Sequence, residues 1–399
     1  MYWTVHLYGG PRRVNHAAIA IGTTIFTFGG YCSGVDYKTF KPIDIHILDT
    51  VKFKWWVLNN NDQDSTCIPF QRYGHTAVTL GSKVYLWGGR NDKEVCNTLY
   101  CFDTETLKWS TPNVYGTIPM PRDGHSACVI KNQMFIFGGF QENPTQFSQD
   151  LYMLDFHTMA WSIVKTNGDP PSHRDFHTAT AIGNKMYIFG GRGDNDESRV
   201  SGKEVYCPNI YYFDTLTKMW VCPVVYGDKP NGRRSHSAFV HNGFMYIFGG
   251  FNRNLDLHYK DIHRYDPIKS TWLKMNPKGT SPCARRRQIC LVVNDQVFIS
   301  GGTSPNYPKT QLQNFRVLNY DFSSHILNQL KDHDDLHVLN LNPSLKDMLL
   351  VNVWELLDSQ GISPLHLCIP TSLKNDLASV NPSEITEIGS NVMSMDQLD

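Results

Sequence analysis

Six short apolar runs punctuate the chain: TIFTF (24–28), KVYLW (83–87), QMFIF (133–137), KMYIF (185–189), FMYIF (244–248) and QVFIS (296–300). Each closes on a diglycine, at Gly29-Gly30, Gly88-Gly89, Gly138-Gly139, Gly190-Gly191, Gly249-Gly250 and Gly301-Gly302. Runs of this length, bounded by glycine, predict buried strands, and a repeat near 50 residues predicts the blades of a propeller. Fourteen residues before each second glycine stand His16, His75, His125, His177 and His236, with Gln288 in the sixth place. Three residues earlier lie Arg13, Arg72, Arg122, Arg174, Arg233 and Arg285. A later strand of the LYCFDT or IYYFDT kind and then Trp55, Trp109, Trp161, Trp220 or Trp272 complete a four-stranded unit. Those rings are expected between blades, each contributing on the order of 1.5 to 3 kcal/mol by burial.

The sixth unit lacks its tryptophan strand after DLHVLNL, whereas the chain begins with Trp3 in WTVHLYGGPRR. The first strand is therefore expected to complete the last blade and close the ring, which removes free sheet edges. Residues 1–342 then form one all-β domain, a six-bladed propeller. Beyond it the pattern changes. Leu345, Leu349 and Val353 recur every four residues in NPSLKDMLLVNVWELLDSQ, which predicts a helix with Asn342 as N-cap and Pro343 at its first position. That apolar stripe needs cover, and the plainest candidate is the propeller wall. Residues 381–399 are polar and without periodicity, and are expected to be mobile.

Lys plus Arg equals Asp plus Glu, 37 each, so no bulk field draws the molecule to nucleic acid or to an anionic membrane. The ten cysteines form no CxxC pair and read as reduced, mostly buried thiols. No cysteine stands beside an obvious base, no GxSxG, P-loop or HExxH pattern occurs, and the repeated histidines, spread around the ring, are not expected to converge on a metal. The sequence thus predicts a non-catalytic binding protein without cofactor or metal. No apolar run is long enough for a signal peptide or a membrane span, so a cytoplasmic and possibly nuclear location is expected.

Together the diglycines, the R-x-x-H spacing and the tryptophans are the kelch signature, and the chain resembles kelch-repeat proteins up to about Asn342. Among them it is most similar to substrate receptors of cullin-2 ubiquitin ligases, which capture glycine-ended C-terminal degrons. After the ring, Ser344, Leu345, Leu349 and Val353 resemble a BC-box, which implies elongin C, with elongin B, as partner. Leu349 departs from the usual cysteine there and is bulkier. Ile369, Pro370, Leu373 and Leu377 resemble the cullin-2 box, so residues 343–380 read as an adaptor segment.

In kelch rings the residues after the diglycine and those before the histidine emerge at the same mouth. The resemblance places Arg192 and Ser235 on a degron's terminal carboxylate, with Arg199 as candidate for a further arginine. Arg90, Arg234, Arg286 and Arg287 break the repeat and are expected to add ligand contacts, because a guanidinium meets a carboxylate with two parallel hydrogen bonds. Asp123 and Asp175 are expected to meet a basic side chain just before the terminal residue. The arginines that recur in every blade read as braces between neighbours, of the solvated kind worth at most about 1 kcal/mol each. Loop 303–332 is the most irregular insertion. The competing reading is a kelch scaffold for chromatin-associated or cytoskeletal proteins, with the run Arg285 to Arg287 weighed and set aside as a direct nucleic-acid patch.

Overall fold

A computed structural model describes residues 1–58 apart from 36 and 39, 66–194, 204–306, 330–363, 367, 369–380 and 393–394. Six antiparallel four-stranded blades follow the predicted units, and in three of them a two-residue strand (Tyr115–Gly116, Tyr226–Gly227 or Met393–Ser394) adds in parallel at the outer edge. Blade 1 comprises Ala17–Ile21, Thr24–Phe28, Ile45–Asp49 and Lys54–Leu58. Blades 2 to 5 begin with Tyr73–Leu80, Ser126–Ile130, Thr178–Ile182 and Ser237–His241. Blade 6 is built from Ile289–Val293, Gln296–Ser300 and Leu336–Asn340, and Tyr2–Leu7 is its outer strand. Trp3 pairs with Leu339 much as Trp272 pairs with Tyr265 in blade 5, so the expected closure by the N-terminal strand is present. The first strand of each blade touches that of the next, and blade 6 returns to blade 1.

The unbroken apolar runs have a simple cause. Alternate side chains of a strand leave by opposite faces, and each blade is covered on both. In blade 3, Met134 and Ile136 join blade 2's core while Phe135 and Phe137 join blade 4's. Six such cores occupy the six gaps between blades. The tryptophans sit where expected: Trp161 lies 5.8 Å from Trp87, Trp220 5.2 Å from Phe137 and Trp272 5.3 Å from Phe189.

The diglycines do more than turn the chain. A Cβ built on Gly88 would stand 2.4 Å from Cε1 of His125 in the next blade, at a φ of +71°. Each first glycine thus lets the following blade's histidine, or Gln288 or His16, lie against bare backbone. The imidazoles then bond across the gap, Thr76 Oγ1 to His125 Nε2 at 2.8 Å and Ser126 Oγ to His177 Nε2 at 2.6 Å.

The recurring arginines depart from the solvated picture. Arg72, Arg122, Arg174, Arg233 and Arg285 are buried, and each donates from Nη1 to the carbonyl of its own blade's first glycine at 2.9–3.2 Å. Their side chains brace their own blade, while the backbone carbonyls of Arg72, Arg174, Arg233 and Arg285 accept from the second glycine of the preceding one, as the Gly139 N–H donates to the Arg174 carbonyl at 2.8 Å. Arg13 alone turns instead to Asp44.

After the ring come α1 (Leu345–Ser359) and α2 (Thr371–Val380), which pack on each other and on the Tyr2–Leu7 strand. Lys346 Nζ meets Asp376 Oδ2 at 2.7 Å between them. The helix starts two residues later than the predicted cap: Asn342 reaches back to Asp295, and Ser344 accepts the first helical bond, from the Met348 N–H at 3.0 Å. The predicted stripe is not covered by the propeller. Leu345, Leu349 and Val353 are 68%, 55% and 41% exposed, whereas Val351 and Leu357 are the buried positions. The helix is docked by its opposite side. The two ends of loop 303–332 pair as Thr303–Pro305 with Leu330–Asp332, and its centre lies outside the described residues; of the tail expected to be mobile, only Met393–Ser394 is described, and it pairs in parallel with Trp56 and Val57 of blade 1, against that expectation.

Candidate functional site: the mouth of the ring

Six short antiparallel pairings rim one end of the ring, and they join the two sets of positions singled out from sequence. Val14 pairs with Tyr31, Tyr73 with Arg90, Asp123 with Phe140, Asp175 with Arg192, Arg234 with Phe251 and Arg286 with Thr303.

Inside the rim lies an element the sequence reading missed. Asn15, Gly74, Gly124, Phe176, Ser235 and Arg287, one per blade, all have φ between +49° and +68°. Each N–H donates to the equivalent carbonyl of the preceding blade: Gly74 to Asn15, Gly124 to Gly74, Phe176 to Gly124, Ser235 to Phe176, Arg287 to Ser235, and Asn15 to Arg287, at 2.7–3.2 Å. The result is a closed wheel of six hydrogen bonds. Gly74, Gly124 and Asn15, residue types that tolerate the left-handed region, were its signal in sequence. Its residues and the histidine row line a cavity of about 130 Å³ on the ring axis. The five histidines therefore share one cavity, closer together than expected, yet their partners are neighbouring blades. Burial drives His16, His125 and His236 to about 3, so they are neutral at physiological pH.

Charge is distributed unevenly around the mouth. Arg192 donates to both oxygens of Asp175 at 3.0 and 2.6 Å and to Glu204 at 3.2 Å. Burial opposes its charge, but these two carboxylates outweigh burial and raise its pKa. Asp175 is wholly buried beneath it, so the expectation of Asp175 meeting a ligand's basic group is overturned; it holds Arg192. Arg90 lies 3.5 Å from Glu142, and Arg234 3.6 Å from Glu204. Arg286 and Arg287 differ: among the described residues no carboxylate lies within ion-pair distance of either, and the Nε of each is buried without a partner. Arg286 lies over the Phe251 ring at 4.3 Å, and Arg287 donates to the Tyr31 hydroxyl. Burial, then Arg287 and Arg234, push Arg286 down to about 10. Asp123, opposite, is raised to about 7 by burial and then by Asp175. Ser235 borders the cavity next to Arg287, while Arg199 lies outside the described residues.

Beyond the ring, Ser344 is exposed with the α1 stripe, and Pro370 and Leu373 are exposed at α2. Ile369 is half-buried, and Leu377 is only 2% exposed, packed inward, which corrects its expected availability to a cullin.

This fold and mouth define a kelch-repeat β-propeller protein, and the chain belongs to that family: residues 74–302 match the KLHDC2/KLHL20/DRC7 Kelch-repeats domain. It is 45% identical over 381 residues to Kelch domain-containing protein 3 of Homo sapiens and 46% identical to that of Mus musculus, with 94% of each chain covered. A more distant similarity, 30% identity over 254 residues, is to Host cell factor 2 of Homo sapiens, covering 60% of this chain and 31% of that protein. Among the described residues no helix is long and apolar enough to cross a membrane.

Proposed function

We propose that this chain is the non-catalytic substrate-recognition subunit of a cullin-2 RING ubiquitin ligase. It joins the ligase through elongin B and elongin C, binds glycine-ended C-terminal degrons in the mouth of the ring, and promotes ubiquitination and proteasomal degradation of its substrates. The observation that carries the reading is the pair Arg286 and Arg287 beside Ser235, both half-buried, each with a buried Nε that has no partner and with no carboxylate at ion-pair distance among the described residues: a partly desolvated guanidinium without an anion attracts a planar carboxylate. Arg192 and Arg234 share Glu204 nearby and extend the same cationic sector. A terminal glycine has no side chain to hold the carboxylate away from the wheel of backbone at the bottom of the mouth. The second support is the stripe Leu345, Leu349 and Val353, exposed on α1 where a BC-box presents its elongin C face.

Two measurements test this. A peptide ending in glycine is expected to bind the full-length chain and to lose most of its affinity when its carboxylate is amidated or when Arg286 becomes methionine. Affinity purification is expected to recover elongins and cullin-2 with the full chain and not with residues 1–342. Equal affinity of the free and amidated peptides would remove the pocket reading. Absence of elongins from the full chain would leave a kelch scaffold for chromatin-associated or cytoskeletal proteins.

A further inference from the structure

The outer edge of blade 1 is closed differently from those of blades 3 to 6. A bare sheet edge presents unpaired N–H and C=O groups that can template another strand, so an outer strand needs cover. In blades 3 to 6 the linker arriving from the preceding blade supplies it. The linkers pair in parallel with the outer strands: Tyr115–Gly116 with Ala160 and Trp161, Asn167 with Met219, Tyr226–Gly227 with Thr271 and Trp272, and Lys278 with Tyr2. Each carries a glycine, Gly116, Gly168, Gly227 or Gly279, at φ between +75° and +86°. A Cβ built there would stand 2.1–2.7 Å from the carbonyl oxygen of the tryptophan on that outer strand.

Blade 1 has the same linker glycine without the contact. Gly9 follows Tyr8 as Gly116 follows Tyr115, and its φ is +88°, yet a Cβ on it would meet nothing within 4 Å. The next residue shows why: the Gly10 N–H donates to the Asp334 carbonyl at 2.8 Å, which holds this linker to blade 6 and off the Lys54–Leu58 strand. Met393–Ser394 lies along that strand instead, paired in parallel with Trp56 and Val57. This segment follows α2, which packs on the Tyr2–Leu7 strand of blade 6. The chain is thus fixed first on the outer wall of blade 6 and then on that of blade 1.

We infer that the outer edge of blade 1 is a strand-docking site whose occupant is this chain's own C-terminal segment at Met393–Ser394, and that the docked segment clasps the ring shut. Opening the ring means parting Tyr2–Leu7 from Leu336–Asn340, the first and last strands of the propeller. The C-terminal segment continues from the last strand, and blade 1 continues from the first. A bond between the two therefore resists that parting from outside the blades. The clasp holds whatever binds at the mouth, so it does not rest on the ligase reading.

The test is hydrogen–deuterium exchange, read peptide by peptide by mass spectrometry, on the full chain, on a chain ended at residue 380, and on the full chain with Met393→Pro and Ser394→Pro. Proline has no N–H to give to a ladder, so the double substitution keeps the length and removes the pairing. Peptides covering Lys54–Leu58 are expected to exchange about tenfold faster in both variants, and those covering Tyr2–Leu7 to exchange faster as well. Ala160–Ile163 and Thr271–Met275, covered by their own linkers, are expected to keep their rates. An unchanged rate at Lys54–Leu58 in either variant, or an equal acceleration of the outer strands of blades 1, 3 and 5, would overturn the docking site. Acceleration at Lys54–Leu58 with Tyr2–Leu7 unchanged would overturn the clasp.

Discussion

Asp123 offers the most direct measurement of the electrostatics at the mouth. It is 6% exposed, and no hydrogen-bond donor is paired with its carboxylate among the described residues. Burial, followed by the nearby charge of Asp175, raises it from 3.8 to about 7. Between those values the folded chain holds a proton that the unfolded chain has lost, so stability falls as pH rises through this window and the loss is complete above the folded pKa. Asn cannot ionise and has nearly the same shape. Integrating the two titrations between pH 5 and pH 8, the stability of Asp123→Asn relative to the native chain is expected to grow by about 2–3 kcal/mol. Urea unfolding of both proteins at a series of pH values gives that difference directly, and the histidine titrations common to both cancel. A difference that stays flat, or shrinks, from pH 5 to pH 8 would refute the reasoning and mean that Asp123 is ionised and satisfied in the folded chain.

The scaffold makes two further predictions. Gly88→Ala puts a methyl 2.4 Å from His125 and 2.9 Å from the Arg122 carbonyl in a left-handed conformation, so a loss of about 2–4 kcal/mol is expected in chemical denaturation; a loss under about 1 kcal/mol would show that the blade gap yields. His125 is depressed to about 3, chiefly by burial, so its contribution is full above 6.5 and is lost as pH falls below it. Since blade 6 carries Gln288 at the same place, His125→Gln is expected to fold and to lose about 2–3 kcal/mol less than the native chain between pH 7 and pH 4.5. Identical acid losses would contradict this.

Much of this was legible from spacing, because a six-fold repeat turns a weak local signal into a strong one. The diglycines, the tryptophans at the blade gaps and the closure through Trp3 all follow from matching copies. The pairing of Asp175 with Arg192 was not legible. The two stand 17 residues apart, and only the register that sets Asp175 opposite Arg192 turns two candidate ligand contacts into one internal ion pair. The hydrogen-bonded wheel was hidden for another reason. Its requirement falls on backbone conformation, and Phe176, Ser235 and Arg287 adopt φ values that nothing in their side chains announces. Periodicity left open whether the α1 stripe docks on the propeller or faces outward, and it faces outward, since a helix can be docked by one side and keep another apolar side in water.

Arginine is used in two ways here, and the difference bears on function. The repeated arginines of blades 2 to 6 are buried and bond the first-glycine carbonyls, with Asp261 or Asp335 added in blades 5 and 6, although Nη2 of Arg72 and of Arg122 has no partner among the described residues. Removing such a group leaves orphaned carbonyls, so these residues report on stability. At the mouth, Arg90 and Arg192 have their own carboxylates, and Arg234 has a share of Glu204. Arg286 and Arg287 have none among the described residues, and they repel each other across one side of an otherwise symmetric ring. If, as proposed, these two take an anion from outside, it must be small enough to reach the backbone wheel and flat enough to meet a guanidinium with two oxygens, and a chain's terminal carboxylate meets both conditions.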